Sequence, residues 1–139
     1  MAIISFNFTK MVAERNEKSK GGKININNNI SIKNVELSET AINAKDQKLL
    51  RFEFEFKSSY NPDLGSIKLE GDVLMLEEQK KVEDIEKGWK KNKTLPAEIM
   101  QQVLSAALNK CNIQALILSQ QINLPAPIPL PKVETKKKE

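Results

Sequence analysis

Arg51, Glu53, Glu55 and Lys57 alternate along one run of the chain. Two carboxylates on one strand face are the residue types of a general acid–base pair. Here each is flanked by a cation, and cross-strand ion pairing accounts for all four charges without catalysis. The chain has no histidine, which removes Ser-His and Cys-His nucleophile systems and the commonest transition-metal ligand. Its one cysteine, Cys111, sits in an apolar helical pattern and reads as a small core residue. A zinc site would need a Cys/His cluster that the sequence lacks. Gly21-Gly22 is not followed by the Lys-Ser/Thr pair and helix of a phosphate-cradling loop. The sequence therefore predicts no enzyme, no metal and no cofactor.

Charge points to a second class of function. The net charge is +4, almost all of the excess is Lys, and the arginines are Arg15 and Arg51 alone. Lys18, Lys20, Lys23, Lys90, Lys91 and Lys93 could form a phosphate-contacting patch, as in an RNA- or ribosome-associated adaptor. Arg, the usual bidentate phosphate ligand, is scarce. Few aromatics are free for base stacking. Solvated loops explain the lysines more simply, and nucleic acid is not the expected partner.

These residues need elements to hold them. A length of 139 residues corresponds to about one domain, expected over residues 1–131, with a basic disordered tail at 132–139. No 18-residue apolar run suggests a membrane span, and the first ten residues lack the basic start of a signal peptide, so a cytoplasmic location is expected. Over residues 3–14, Ile4, Phe6 and Phe8 alternate with polar residues as in a half-buried strand. The polar stretch Asn16 to Lys23 reads as a hairpin loop. Ile24, Ile26, Ile30 and Ile32 then share a face, which Asn28 interrupts. At Val35 and Leu37 the apolar phase slips by one residue, which predicts a β-bulge near Lys33-Asn34.

Residues 39–47 form a polar connection. The clearest strand, 48–58, turns Leu50, Phe52, Phe54 and Phe56 one way and its charges the other, which suits an antiparallel sheet with one wet face. Asn61 to Gly65 is a turn by composition. Residues 66–76 carry Ile67, Leu69, Val73 and Met75 on one face, with Gly71 marking a bulge or a close contact. Leu74 and Leu76 suggest cover at the end of the other face. The period then changes to 3.6. Val82, Ile85 and Trp89 predict a short amphipathic helix over 77–91. The fold class is α+β: an antiparallel sheet of about four to five strands, then a short helix and a long C-terminal helix packed on it.

The long helix starts near Pro96 and runs to about Gln121, roughly 39 Å. One face holds Met100, Leu104, Ala107, Leu108, Cys111, Ala115, Leu118 and Ile122. An adjoining face holds Ile99, Val103, Ala106, Ile113 and Ile117. This arc is wider than the ~100° that one sheet covers, so a second cover is expected, from a partner subunit or another layer. A homo-oligomer, dimer or tetramer, follows. Leu124 to Pro131 carries proline at alternate positions, which forbids helix and favours an extended segment packed on the protein's own surface or its partner.

Strands first, a short helix, a long helix and an apolar exit: in this order the chain resembles the SecB-like chaperones. Ile30-Ser31-Ile32-Lys33-Asn34-Val35-Glu36-Leu37-Ser38 looks like that family's early strand. The Phe-rich run 50–56, the hairpin into 66–76, the Leu95-Pro96 step and the exit from Leu124 to Ile128 are also similar. The resemblance covers residues 24–130 and implies a divergent member with an extra strand at 3–14, of archaeal type or from a lineage without the export motor. The family's acidic docking surface is not carried over, because the matching face mixes Arg51, Glu53, Glu55 and Lys57. The resemblance implies a cytoplasmic, ATP-independent holdase that binds unfolded or extended polypeptides and touches on protein transport. The groove would be lined by Phe52, Phe54, Phe56, Leu104 and Leu108, although each of these residues taken singly is better explained as core.

Overall fold

The computed structural model describes residues 2–16, 23–38 and 47–128. They form strands β1 (Ala2–Arg15), β2 (Asn25–Leu37), β3 (Gln47–Asn61) and β4 (Gly65–Glu78), then helices α1 (Gln79–Asn92) and α2 (Ala97–Gln121). The class is α+β, with a four-stranded antiparallel sheet followed by a short and a long helix.

The alternation in β3 becomes burial. Leu50, Phe52, Phe54, Phe56, Ser58 and Tyr60 are all buried, and the residues between them are not. Their partners on β4 continue the same face: Phe52 opposes Val73, Phe54 opposes Gly71 and Phe56 opposes Leu69. β3 and β4 carry the densest apolar rows, and they take the centre of the sheet, in the order β1-β4-β3-β2. This corrects the hairpin expected between the first two strands. β1 pairs with β4 and β2 with β3, so β1 and β2 lie at opposite edges. A Gly-Gly stretch signals only a local turn, whereas long-range pairing follows apolar rows that need cover on both sides. Residues 17–22, the bulk of that expected loop, lie outside the described residues, as do 39–46 and the tail 132–139.

The slip in β2 is a bulge: the register with β3 shifts between Ile32 and Asn34. It moves Val35 and Leu37 onto the face of Ile26, Ile30 and Ile32, opposite Phe52 and Leu50. β1 has two such shifts, between Ile3 and Ser5 and between Phe8 and Lys10. The first leaves Ile4 51% exposed while Ile3 packs on the core. Gly71 is a close contact: a Cβ there would strike the carbonyl oxygen of Asn7 and the ring of Phe54. That ring stacks on Phe6 at 5.0 Å and meets Phe8 edge-on at 6.2 Å, so β1 is fastened to the core by aromatic packing.

The opposite face is held by charge. Arg51 bonds Glu36 on β2 at 2.7 Å, its strand neighbour Glu53 at 2.6 Å and Asp72 on β4 at 3.0 Å. Asn7 on β1 reaches Asp72 at 3.3 Å, so one polar chain crosses all four strands. Lys33 pairs with Glu55 at 3.4 Å. Burial alone would lower the Arg51 pKa, but its bonds to Glu36 and Asp72 and the charges of Asp72 and Glu53 outweigh burial and raise it. At the end of this face Leu74 and Leu76 are half-buried, and Leu49, opposite Leu76, is 3% exposed.

Both helices cover the apolar face. α1 buries Val82, Ile85 and Trp89 against β2, β3 and β4, and its Glu86 carboxylate accepts from the Leu37 amide at 3.1 Å. α2 crosses all four strands. Its buried row is Ile99, Val103, Ala107, Cys111, Ala115 and Ser119, a step of four residues. At 3.6 residues per turn each such step turns by about 40°, so the buried side rotates by roughly 200° along the helix. This drift splits one face expected from the sequence. Ile99 and Val103 are buried, while Ile113 and Ile117 point outward, 59% and 44% exposed.

Candidate functional site

At one end of the apolar face, polar side chains break into the floor. Asn28 interrupts the isoleucine row of β2, and Ser58 interrupts the aromatic row of β3. The two residues are register partners, and the Ser58 hydroxyl donates to the Asn28 side-chain oxygen at 2.6 Å. The next pair along this face is Ile26 and Tyr60. Tyr60 is 1% exposed and donates its hydroxyl to the Pro125 carbonyl at 2.6 Å. The Asn28 amide donates to the Pro127 carbonyl at 2.8 Å. The buried Ser58 and Tyr60 thus have partners, as burial requires, and Asn28 lies exposed on the edge strand. Burial raises the Tyr60 pKa, an effect partly offset by hydrogen bonding with Ser58.

The end of α2 delivers these carbonyls. Asn123 takes the left-handed conformation (φ 59°), and the Leu124 amide donates to the Ser119 carbonyl at 2.8 Å. This is a Schellman-type stop, and the buried Leu124 supplies its usual apolar contact. The chain then turns back over β2 and β3, where Pro127 is also buried. The self-packed segment expected from the alternate prolines is present as far as Ile128, but it bends at Pro127 and Ile128 where a straight extended path was expected. The signal for its seat was available in the sequence as two polar interruptions, Asn28 and Ser58, in rows that are otherwise apolar or aromatic.

Phe52, Phe54 and Phe56 lie in the core, 0%, 1% and 0% exposed. Leu104 and Leu108 are half-buried on α2, and Leu108 packs against the core cluster. The structure therefore places the three phenylalanines beneath the surface. Other apolar side chains stay half-buried at the edges of this core, Ile24, Ile26, Ile30 and Ile32 along β2 and Phe6 and Phe8 on β1, and the most open are Ile4, Met11, Met100, Ile113 and Ile117.

Remaining candidates are dispersed. Cys111 is fully buried and its thiol is pushed up to about 12 by that burial, the setting of an inert structural cysteine. Among the described residues no group of three or more His, Cys, Asp or Glu is placed to hold a metal. Of the candidate phosphate-contacting lysines, Lys90 pairs with Glu86 at 3.4 Å, and Lys93 lies 5.2 Å from the centre of the Trp89 ring. Lys18 and Lys20 lie outside the described residues. Among the described residues no helix is long and apolar enough to cross a membrane.

No protein-family model matches the sequence, and no curated protein matches it. Among solved structures the fold is similar to the Mycobacterium tuberculosis Rv1957 SecB-like chaperone, determined in complex with a ChAD peptide from the Rv1956 HigA1 antitoxin. The TM-score is 0.51 at 11% identity, over 98% of this chain and 92% of that one. Coverage of 98% leaves too few residues outside to omit β1, so the N-terminal strand is part of the shared fold and not an addition to it. At this identity the likeness is one of fold.

Proposed function

We propose that this protein is an ATP-independent holdase that binds unfolded or extended polypeptides and works as a homo-oligomer in the cytoplasm. The observation that carries the reading is the half-open isoleucine row Ile24, Ile26, Ile30 and Ile32 at the sheet edge, laid on a fully buried Phe floor. A row of apolar side chains at strand spacing along an edge suits an extended chain, which presents alternate side chains to such a surface. The fold likeness to a SecB-like chaperone solved with a peptide supports the same reading. Phe52, Phe54 and Phe56 would then act as a rigid base, with Leu104 and Leu108 contributing from α2. The outward Ile113 and Ile117 are the surface on which copies of the chain would meet.

Aggregation suppression tests the proposal. The full chain, without nucleotide, should keep a reduced, unfolded client from scattering light near stoichiometric ratio. The effect should persist in moderate salt, unlike phosphate-driven binding. No suppression at stoichiometric excess would remove the chaperone reading.

A further inference from the structure

We infer that Asn28, Ser58 and Tyr60 form a binding site for an extended polypeptide with proline at alternate positions. The chain fills this site with its own Leu124–Ile128, and a client segment of the same chemistry enters by displacing it. The inference rests on the polypeptide-binding reading above and specifies one track within it.

Spacing is the first ground. Tyr60 pairs with Ile26 and Ser58 with Asn28, so the two donors are diagonal neighbours on adjacent strands, their Cα atoms about 7–8 Å apart. The carbonyls they reach, Pro125 and Pro127, are two residues apart in an extended chain, about 6.2 Å in polyproline geometry. The longer reach of Tyr60 takes up the difference, and the contacts close at 2.6 and 2.8 Å. The segment advances from 125 to 127 as β2 advances from 26 to 28, so it runs parallel to β2 and antiparallel to β3.

Chemistry is the second ground. The Asn28 side-chain oxygen is occupied by the Ser58 hydroxyl, which leaves the Asn28 amide to face the segment as a donor. Tyr60 also acts as a donor. The floor thus offers N–H and O–H groups to carbonyls. Proline is the residue that brings a carbonyl without a backbone N–H. An ordinary residue at the buried position 127 would bring an amide against a floor of donors, and an unpaired buried amide is costly; Pro125 is exposed, where water can serve an amide. Leu124 and the buried Pro127 supply the apolar fill.

Exchange is the third ground. Without amides at alternate residues the segment cannot join the sheet as a full strand. Two side-chain bonds and apolar burial hold it. Beyond Asn28 the same track continues over Ile30 and Ile32, both half-open, so a longer incoming segment has more surface available than Leu124–Ile128 uses.

The test uses a fluorescent octapeptide, Leu-Pro-Ala-Pro-Ile-Pro-Leu-Pro, and the full chain. Leu124→Asp with Pro127→Asp releases the internal segment and leaves the seat untouched. An internal competitor acts at millimolar effective concentration, so its release should tighten peptide binding by about tenfold or more. Adding Asn28→Ala to that chain should then weaken binding about five- to tenfold, the effect of one hydrogen bond. No gain on release, or equal binding of a peptide with every proline replaced by alanine, overturns the inference. A reduced, unfolded client is titrated in parallel. If it binds while the proline peptide does not, this site falls and the holdase reading stands; if neither binds, both fall. Should the released chain not fold, an environment-sensitive dye on Ala126→Cys in the otherwise native chain decides the matter. Excess peptide should move the dye into water, and an unchanged signal at saturating peptide refutes displacement.

Discussion

Replacing Ile113 and Ile117 together by Gln should dissolve the proposed homo-oligomer and leave the fold intact. The two side chains lie one helical turn apart on the outward side of α2, 59% and 44% exposed. Fully burying an isoleucine contributes about 2 kcal/mol. Scaled by the area still open, each residue offers about 1 kcal/mol to a partner. In a two-fold pair both copies present the same face, so the double substitution removes about 4 kcal/mol. That is about a thousandfold in the dissociation constant. Stability of the single chain should change by less than about 0.5 kcal/mol, because the sites are exposed and Gln is a good helix former. Sedimentation across a range of concentrations reads the first effect, and urea denaturation of the dissociated chain reads the second. A native chain that stays monomeric at about a hundredfold above a micromolar dissociation constant refutes the reasoning. So does a variant with an unchanged mass profile. A large loss of stability at constant mass would place these residues in the core instead.

Gly71→Ala should lower stability by about 2–3 kcal/mol in urea denaturation, because the new methyl would sit 2.8 Å from Phe54 Cζ and against the Asn7 carbonyl. Phe54→Leu in the same chain should relieve only the ring contact, since the Asn7 carbonyl belongs to the backbone, and a single variant within about 0.5 kcal/mol of the native chain would refute the packing. Cys111 titrates at about 12 in the fold against 9.0 for a free thiol. A raised folded value means that its contribution is intact below pH 9 and is lost as pH rises toward 12. Stability should therefore fall over that interval by up to about 1.4 kcal/mol per pH unit beyond the fall seen in Cys111→Ala. Equal slopes for the two chains would contradict the burial of the thiol. Tyr60, raised by burial, acts in the same direction, and it does so in both chains.

Much of this architecture can be read from local pattern. The alternation over Leu50 to Phe56 places a strand and its buried face correctly, because a side-chain period of two leaves a row of Phe only one apolar side. The slipped phase between Ile32 and Val35 locates the bulge that the register confirms. The change of period after Met75 predicts both helices, although β4 runs on to Glu78 before α1 begins. The ionic explanation is realised across the strands for Arg51 and Glu55, whereas Glu53 pairs with Arg51 along its own strand.

Other features depend on partners far apart in sequence. Nothing local in Asn16 to Lys23 says that β1 crosses to the far edge, since strand order is chosen by which apolar rows need two neighbours. The two faces read on α2 could not anticipate a buried row that winds round the helix, because that path is imposed by the sheet beneath it. The candidate site shows the division most clearly. Sequence determined that Asn28 and Ser58 break apolar rows and that residues 124–128 cannot be helical. Only the tertiary structure decided that these breaks face each other and that Tyr60 stands one pair away. It also brought the two proline carbonyls within reach of both donors. A hydrogen bond between residues 65 or 99 positions apart has no local signature, because its geometry exists only once the sheet and the helix have brought both ends together.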